Sequence, residues 1–365
     1  MNPATIPLLE TNGIVTSGHQ CLTLGDMTPA AQFCTIIPPY VLDRLAEQGH
    51  EAAQRSLALD VVHREARLSA VAPKVPAQRL SRTIGDAHHA QRAPGKPVRL
   101  EGQPPVKDAP VNRAYDGLGA TFALYEEIYG RHSIDGSWLP LDATVHYGRD
   151  YDNAFWDGAR MVFGDGDGVI FNDFTISQDV IGHELTHGVT QYTAGLDYRG
   201  QSGALNESVS DVFGSLVKQY ALRQPAAEAD WLIGAGLLAP GVHGVALRSM
   251  KAPGTAYDDE RLGKDPQPAH LRDYVDTAED QGGVHINSGI PNHAFYQLAT
   301  ALGGNAWERA GQIWYDTLTG GGLAHDSDFT AFARATVAAA RARYEDEAVA
   351  NTVVAAWSQV GVSTT

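Results

Sequence analysis

Apolar residues recur at helical spacing over residues 38–68, where Val41, Leu42 and Leu45 are followed by Leu57, Val61 and Val62, and Pro38–Pro39 marks a helix entry. The Pro/Ala-rich SAVAPKVPAQ (69–78) then predicts a linker, with a boundary near residues 70–80. RTIGDAHHA and KPVRLEGQ predict strands, and residues 108–130 carry a helix with apolar positions on one face. Residues 143–168 read as a run of strands ending at Asp165–Gly168. A tight hairpin turn fits that Gly/Asp stretch better than a calcium loop, because no glutamate follows where such a loop needs one. After about residue 178 the pattern becomes helical, with one helix in VIGHELTHGVTQYTAG, a second over 203–223 and four more in the C-terminal quarter. The prediction is an α+β body, strand-rich first and helix-rich second, with a cleft at the junction.

Composition narrows the class. The chain is 43% hydrophobic, and no run approaches the roughly 20 apolar residues of a membrane span. Of the net charge of −16, nearly all falls after residue 80, where 21 Lys+Arg face 36 Asp+Glu. That balance argues against nucleic acid as a partner. The only cysteines, Cys21 and Cys34, lie near the N-terminus, which excludes a disulfide framework or Cys-ligated zinc in the body. No basic segment followed by an apolar core marks a classical secretory signal, and Met27 is a candidate alternative start.

The chemistry concentrates in DVIGHELTHG, residues 179–188. On a helix, His183 and His187 are four apart and share one face, so two imidazoles can converge on one metal ion, for which zinc is the usual guest. Glu184 sits beside them, where a general base for an attacking water belongs. Taken alone, the motif also fits a His-rich exposed face, because two ligands make an incomplete zinc site. Glu207, on the following helix, offers a third ligand and leaves a fourth position for water, the mark of a catalytic site. Asp211, one turn further, is placed to accept the far N–H of a ligand histidine.

Residues 179–214 resemble the thermolysin family of zinc endopeptidases over their whole length. The likeness extends upstream through HYGRDYDNAFWDGARMVFGDGDG and downstream through ALRSM and DQGGVHINSGIPN, covering about 108–360. The GxMEN motif of related zinc aminopeptidases is absent. IIPPYVLDRLAE resembles the short propeptide of protealysin-like precursors. The resemblance implies a two-lobed thermolysin-like fold, divided as an N-terminal extension, propeptide and linker (1–75), a strand-rich catalytic lobe including the HELTH helix (76–195) and a helical lobe (196–365).

It also implies a role for each residue. Zn²⁺ is held by His183, His187 and Glu207, with Glu184 as base. His285, oriented by Asp280, and Tyr198 donate to the oxyanion. Asn153 and the Ala154 carbonyl pair with a bound peptide, and Arg248 binds the carbonyl of the residue after the cut. Val180 and Leu247, with Phe171 or Phe174, line an apolar pocket for that residue, giving cleavage before Leu, Phe, Ile or Val. Many family members bind calcium through the residue matching Asp179 and a glutamate whose position here is Lys218. Further expected acids are Leu232 and Ala235, while Asp230 remains, so the usual double calcium site is not expected, and Lys218 is expected to pair with Asp179.

The implied protein is a monomeric neutral endopeptidase acting on peptides and proteins, and secreted by a route without a classical signal. It is made as a zymogen whose own propeptide fills the cleft and is removed near residues 65–82. Cys34 is expected to pack as a small apolar side chain, the alternative being a thiolate latency switch on the zinc. The competing functions are a catalytically silent peptide-binding module with a retained propeptide, and a structural zinc protein, which an open ligand position argues against.

Overall fold

The computed structural model describes residues 34–67 and 78–365. Cys21, Met27, nearly all of the linker and most of the expected processing zone lie outside them.

Residues 39–67 form two helices, α1 (Pro39–Glu47) and α2 (Glu51–Arg67), parted at Gly49, whose φ of 86° suits glycine. Val41, Leu42 and Leu45 are buried as predicted. Val61 and Val62 are not: they are 54% and 57% exposed. The face that α2 buries carries Ala52, Ala53, Ser56 and Asp60. It docks through hydrogen bonds, with Asp60 accepting from the Tyr151 hydroxyl at 2.5 Å and the Asn153 amide at 3.0 Å. Periodicity alone therefore picked the wrong side of α2.

A five-stranded sheet follows, built from β1 (Arg82–Asp86), β2 (Lys96–Leu100), β3 (Leu141–Val145), β4 (Ala154–Trp156) and β5 (Arg160–Phe163), in the order β2-β1-β3-β5-β4. The pairs β1/β3 and β3/β5 are parallel, and both outer strands run antiparallel to their neighbours. The hairpin turn expected at Asp165–Gly168 lies instead at residues 157–159, between β4 and β5, where Asp157 Oδ1 accepts the N–H groups of Ala159 and Arg160 at 2.8 Å each. Residues 165–168 still turn, because Asp167 Oδ1 accepts three successive N–H groups from Val169 to Phe171.

Helix α3 (Ala109–Ala123) packs on the sheet and ends in a π-turn over Leu124–Ile128. Helices α4 (Gln178–Gln191) and α5 (Gly200–Leu222) come next. Two short ladders, β6 (Leu232–Ile233) with β7 (Arg248–Ser249) and β8 (Asp258–Asp259) with β9 (Gly263–Lys264), precede a helical half. That half comprises α6 (Asp280–Asn287), α7 (Gly289–Leu302), α8 (Arg309–Thr319), α9 (Phe329–Arg343) and α10 (Glu347–Gln359). Trp314 and Trp357 stack at 5.8 Å within it. One apolar core runs from Ile36 and Leu42 through α4 and α5 to Trp357, so helix α1 shares the core of the body.

Candidate metal and peptide-binding site

The site begins with a close helix crossing. A Cβ on Gly214 of α5 would stand 2.4 Å from the Asp179 carbonyl oxygen of α4, and one on Gly182 would stand 3.0 Å from the Gly214 Cα. Only glycine lets these backbones approach so far. The crossing carries His183 and His187 of α4 to Glu207 and Asp211 of α5.

Partners behind the rings aim them. His183 Nδ1 lies 2.8 Å from Asp211 Oδ1, and His187 Nδ1 lies 2.9 Å from Asn206 Oδ1 and 3.1 Å from Ser210 Oγ. The two Nε2 atoms are then 3.0 Å apart, and each is within 3.5 Å of a Glu207 oxygen. Burial lowers the His187 pKa to about 4 against the pull of Glu207, so the ring is neutral and its lone pair free. Burial would raise Glu207, but the imidazoles of His285, His187 and His183 outweigh it and hold the carboxyl at about 2. Glu207 Oε2 is buried with no hydrogen-bond partner. A divalent cation would satisfy that atom, and the donor set of two imidazoles and a carboxylate is a zinc set.

Glu184 is wholly buried. Its Oε2 accepts the Trp156 N–H of β4 at 3.1 Å, while Oε1 has no partner. Burial, then the Glu207 charge, pushes its pKa well up, which favours taking a proton. Tyr198 donates to Glu207 Oε1, and its hydroxyl lies 3.2 Å from His285 Nε2. At the start of α6, positive φ values at Gln281, Gly282 and Gly283 fold Asp280 back onto His285. There Asp280 meets His285 Nδ1 at 2.6 Å and accepts its backbone N–H at 2.8 Å. Burial would lower the His285 pKa, but Asp280 and Glu207 lift it to about 9, so the ring is a donor near neutrality.

The N-terminal segment, from Cys34 to Ile37, crosses this site. On the free edge of β4, the Ile36 N–H donates to the Ala154 carbonyl at 3.1 Å, and the Ile37 N–H donates to Asn153 Oδ1 at 3.0 Å. Arg248 reaches the Ile36 carbonyl at 3.4 Å while its guanidinium grips both oxygens of Asp211 at 2.8 Å. Phe171 and Leu247 line a space with Ile37, Pro38, Tyr40, Val41, Tyr257 and Leu262. Val180 and Phe174 are fully buried in the same core but do not line that space.

Two results stand apart from expectation. Cys34 does not pack as a plain apolar residue. Its Sγ lies 2.9 Å from Glu207 Oε1 and 2.8 Å from the Tyr198 hydroxyl, and it joins His183, His187 and Glu207 in a cluster whose donor atoms all lie within 4.8 Å of one another. Burial, then Glu207 and Glu184, pushes its thiol pKa well up. Proximity to IIPPY is the one signal of this along the chain. Asn206, Ser210 and Asn292, whose amide donates to Asp211 at 2.8 Å, were also missed. Helical spacing does place Asn206 and Ser210 beside Glu207, and that was the available clue.

Lys218 Nζ lies 2.6 Å from Asp179 Oδ2 and 2.9 Å from Asp230 Oδ1, and donates to the Leu232 carbonyl at 2.7 Å. It forms the expected pair with Asp179.

A buried imidazole–carboxylate cluster beside an edge strand that already carries an extended chain defines the class as a metal-dependent peptidase. Family comparison makes it particular: this chain belongs to the thermolysin family of metallopeptidases. Residues 102–191 match the thermolysin metallopeptidase catalytic domain and residues 194–362 its alpha-helical domain. The chain is 54% identical to an extracellular metalloprotease of Pectobacterium carotovorum subsp. carotovorum, over 90% of this chain and 96% of the other. It is 43% identical to an extracellular minor metalloprotease of Serratia marcescens, over 77% and 81%. The solved precursor of protealysin, a metalloproteinase from Serratia proteamaculans, superposes with a TM-score of 0.83 at 55% identity, over 90% of this chain and all of that one.

Proposed function

We propose that this chain is a zinc-dependent neutral endopeptidase made as a zymogen, cleaving before bulky apolar residues. The observation that carries the reading is the convergence of His183, His187 and Glu207 at one buried point, with a partnerless Glu184 oxygen nearby. His183, His187 and Glu207 would hold the zinc. When bound, zinc supplies a Lewis acid that makes water nucleophilic near pH 7 and polarises a carbonyl. Glu184 takes the proton from the attacking water and passes it to the leaving amine. Tyr198 and His285, the latter held by Asp280, donate to the developing oxyanion. Asp211 fixes the His183 tautomer and, through Arg248, couples it to the peptide-binding wall.

A substrate would add to β4 as an extra strand, using the Ala154 carbonyl and Asn153, with Arg248 on the carbonyl after the cut. The preference for a bulky apolar residue there rests on a residue of that kind, Ile36, fully buried at the matching register. Residues 34–67 would hold the enzyme latent by filling the cleft. Lys218 would replace calcium between Asp179 and Asp230. The names of the Pectobacterium and Serratia relatives support an extracellular protein. The division at about residues 75 and 195 remains the proposed lobe plan.

The test is peptide hydrolysis by the processed enzyme, with Glu184→Ala and chelator controls. Glu184→Ala is expected to lower kcat by roughly 10²–10⁴-fold with zinc content unchanged. Full activity in that variant would refute the mechanism.

A further inference from the structure

The prosegment lies in the cleft in the direction of a substrate, and its register names a bond. Arg248 contacts the Ile36 carbonyl, and Ala154 accepts the Ile36 N–H. If Arg248 marks the residue after the cut, that residue is Ile36 and the bond in reacting position is Thr35–Ile36. Ile36 is an apolar residue of the kind expected there, and it is fully buried. Cys34, the residue before Thr35, turns its side chain back, so that Sγ lies 3.6 Å from the Thr35 carbonyl oxygen. Around that sulfur stand Glu207 Oε1 at 2.9 Å, the Tyr198 hydroxyl at 2.8 Å and His285 Nε2 at 3.6 Å. Sulfur therefore takes the place between the metal cluster and the two oxyanion donors, where anionic charge is stabilised. The cluster includes the buried, partnerless Glu207 Oε2, a second sign that a cation belongs at this point.

We propose that the Cys34 thiolate is a fourth protein ligand of the metal, and that it excludes the water which would otherwise cut the chain's own Thr35–Ile36 bond. The proposal rests on the peptidase reading above and deepens it. With sulfur in place, no water reaches the Thr35 carbonyl, and a substrate-like segment lies uncut. With the thiol removed, water enters. Its oxygen bonds to the Thr35 carbonyl carbon, the Thr35–Ile36 C–N bond breaks, and Glu184 carries the proton to the Ile36 nitrogen. Hydrolysis needs no oxidant or further reactant. Latency then has two parts. α1 and Ile36–Ile37 hold the segment in the cleft, and Cys34 alone keeps it whole.

The experiment uses the full chain loaded with cobalt(II) in place of zinc. The unaltered protein is expected to show a sulfur-to-cobalt charge-transfer band in the near ultraviolet. The band should persist in Cys21→Ala and vanish in Cys34→Ala, while the visible cobalt bands remain. In parallel, intact-mass spectrometry of the zinc-loaded chains should find Cys34→Ala or Cys34→Ser losing residues 1–35, with Ile36 as the new N-terminus. The Cys34→Ala/Glu184→Ala chain should stay whole at that bond. Absence of the band from the unaltered protein would overturn the ligand assignment, and that measurement needs no variant to fold. A Cys34 variant that hydrolyses added peptide but leaves Thr35–Ile36 intact would overturn the register. Processed enzyme with no cysteine change that fails on every peptide would instead refute the peptidase reading itself.

Discussion

Single residues here act through what stands behind them. His146 shows this away from the cleft. Its Nδ1 meets Asp165 at 2.8 Å and its Nε2 meets Asp108 at 3.0 Å, tying the end of β3 to the start of α3. The Asp165 bond, against partial burial and with help from Asp108, raises its pKa to about 9. A folded-state value above the unfolded one, about 6.5, means the charged ring stabilises the fold. That contribution is complete below pH about 6.5 and is lost as pH climbs through about 9. His146→Gln is therefore expected to lower Tm at pH 6 and to have almost no effect at pH 10. Thermal melts across this range check it, and a gap that widens with pH would contradict the assignment. Neither acid was readable as a partner from the sequence, since Asp108 and Asp165 lie 38 and 19 residues away.

At the scale of elements, the α4–α5 crossing decides whether a site exists. The HExxH spacing put both imidazoles on one face, and Glu207 was legible as a third donor because it lies one helix on. The crossing distance was not legible, because it depends on Gly182 meeting Gly214. Gly214→Ala would push a methyl to 2.4 Å from the Asp179 carbonyl oxygen. It is expected to cost about 1–3 kcal/mol of stability and to weaken zinc retention, measurable by denaturant titration and by metal competition. A second contact on the same two helices is Lys218 with Asp179. Asp179 is completely buried, and Lys218 keeps its proton because Asp179 and Asp230 overcome the burial cost. Lys218→Met would leave a buried carboxylate without its cation, at a cost of about 3–5 kcal/mol. Melts of that variant should show the loss, and added calcium should not stabilise the unaltered protein, in which Lys218 already neutralises Asp179.

For the whole molecule, the consequence is that the segment from Ile36 through α1 and the body are one packed object. Ile36, Ile37, Val41, Leu42 and Leu45 are all buried against the body's core. Each such side chain is worth roughly 1.5–3 kcal/mol before ordering costs, and about 1.4 kcal/mol suffices for a tenfold effect. The chain with residues 1–77 attached is thus expected to hydrolyse added peptide more than tenfold slower than the chain without them. Equal rates in a side-by-side assay would refute inhibition by cleft filling. Burial on α2 taught a related lesson. Val61 and Val62 gave the stronger periodic signal, yet Ser56 and Asp60 face inward, because the body offers α2 polar partners in Asp152, Tyr151 and Asn153.

The sequence by itself determined the order of the longer strands and helices, the histidine pair on one helix face and, through its resemblance to a family, Glu207 on the following helix. Local periodicity and short spacing are enough for the elements and the histidine pair, since a helix fixes which residues are neighbours without help from the rest of the chain. Only the tertiary structure decided that Arg248 locks Asp211, that the Ile36 N–H pairs with the Ala154 carbonyl on β4, and that the Cys34 sulfur ends among Glu207, Tyr198 and His285. Cys34 and Glu207 are 173 residues apart. No local pattern records such a meeting, because it follows from how α1 seats against the core that it shares with α4 and α5.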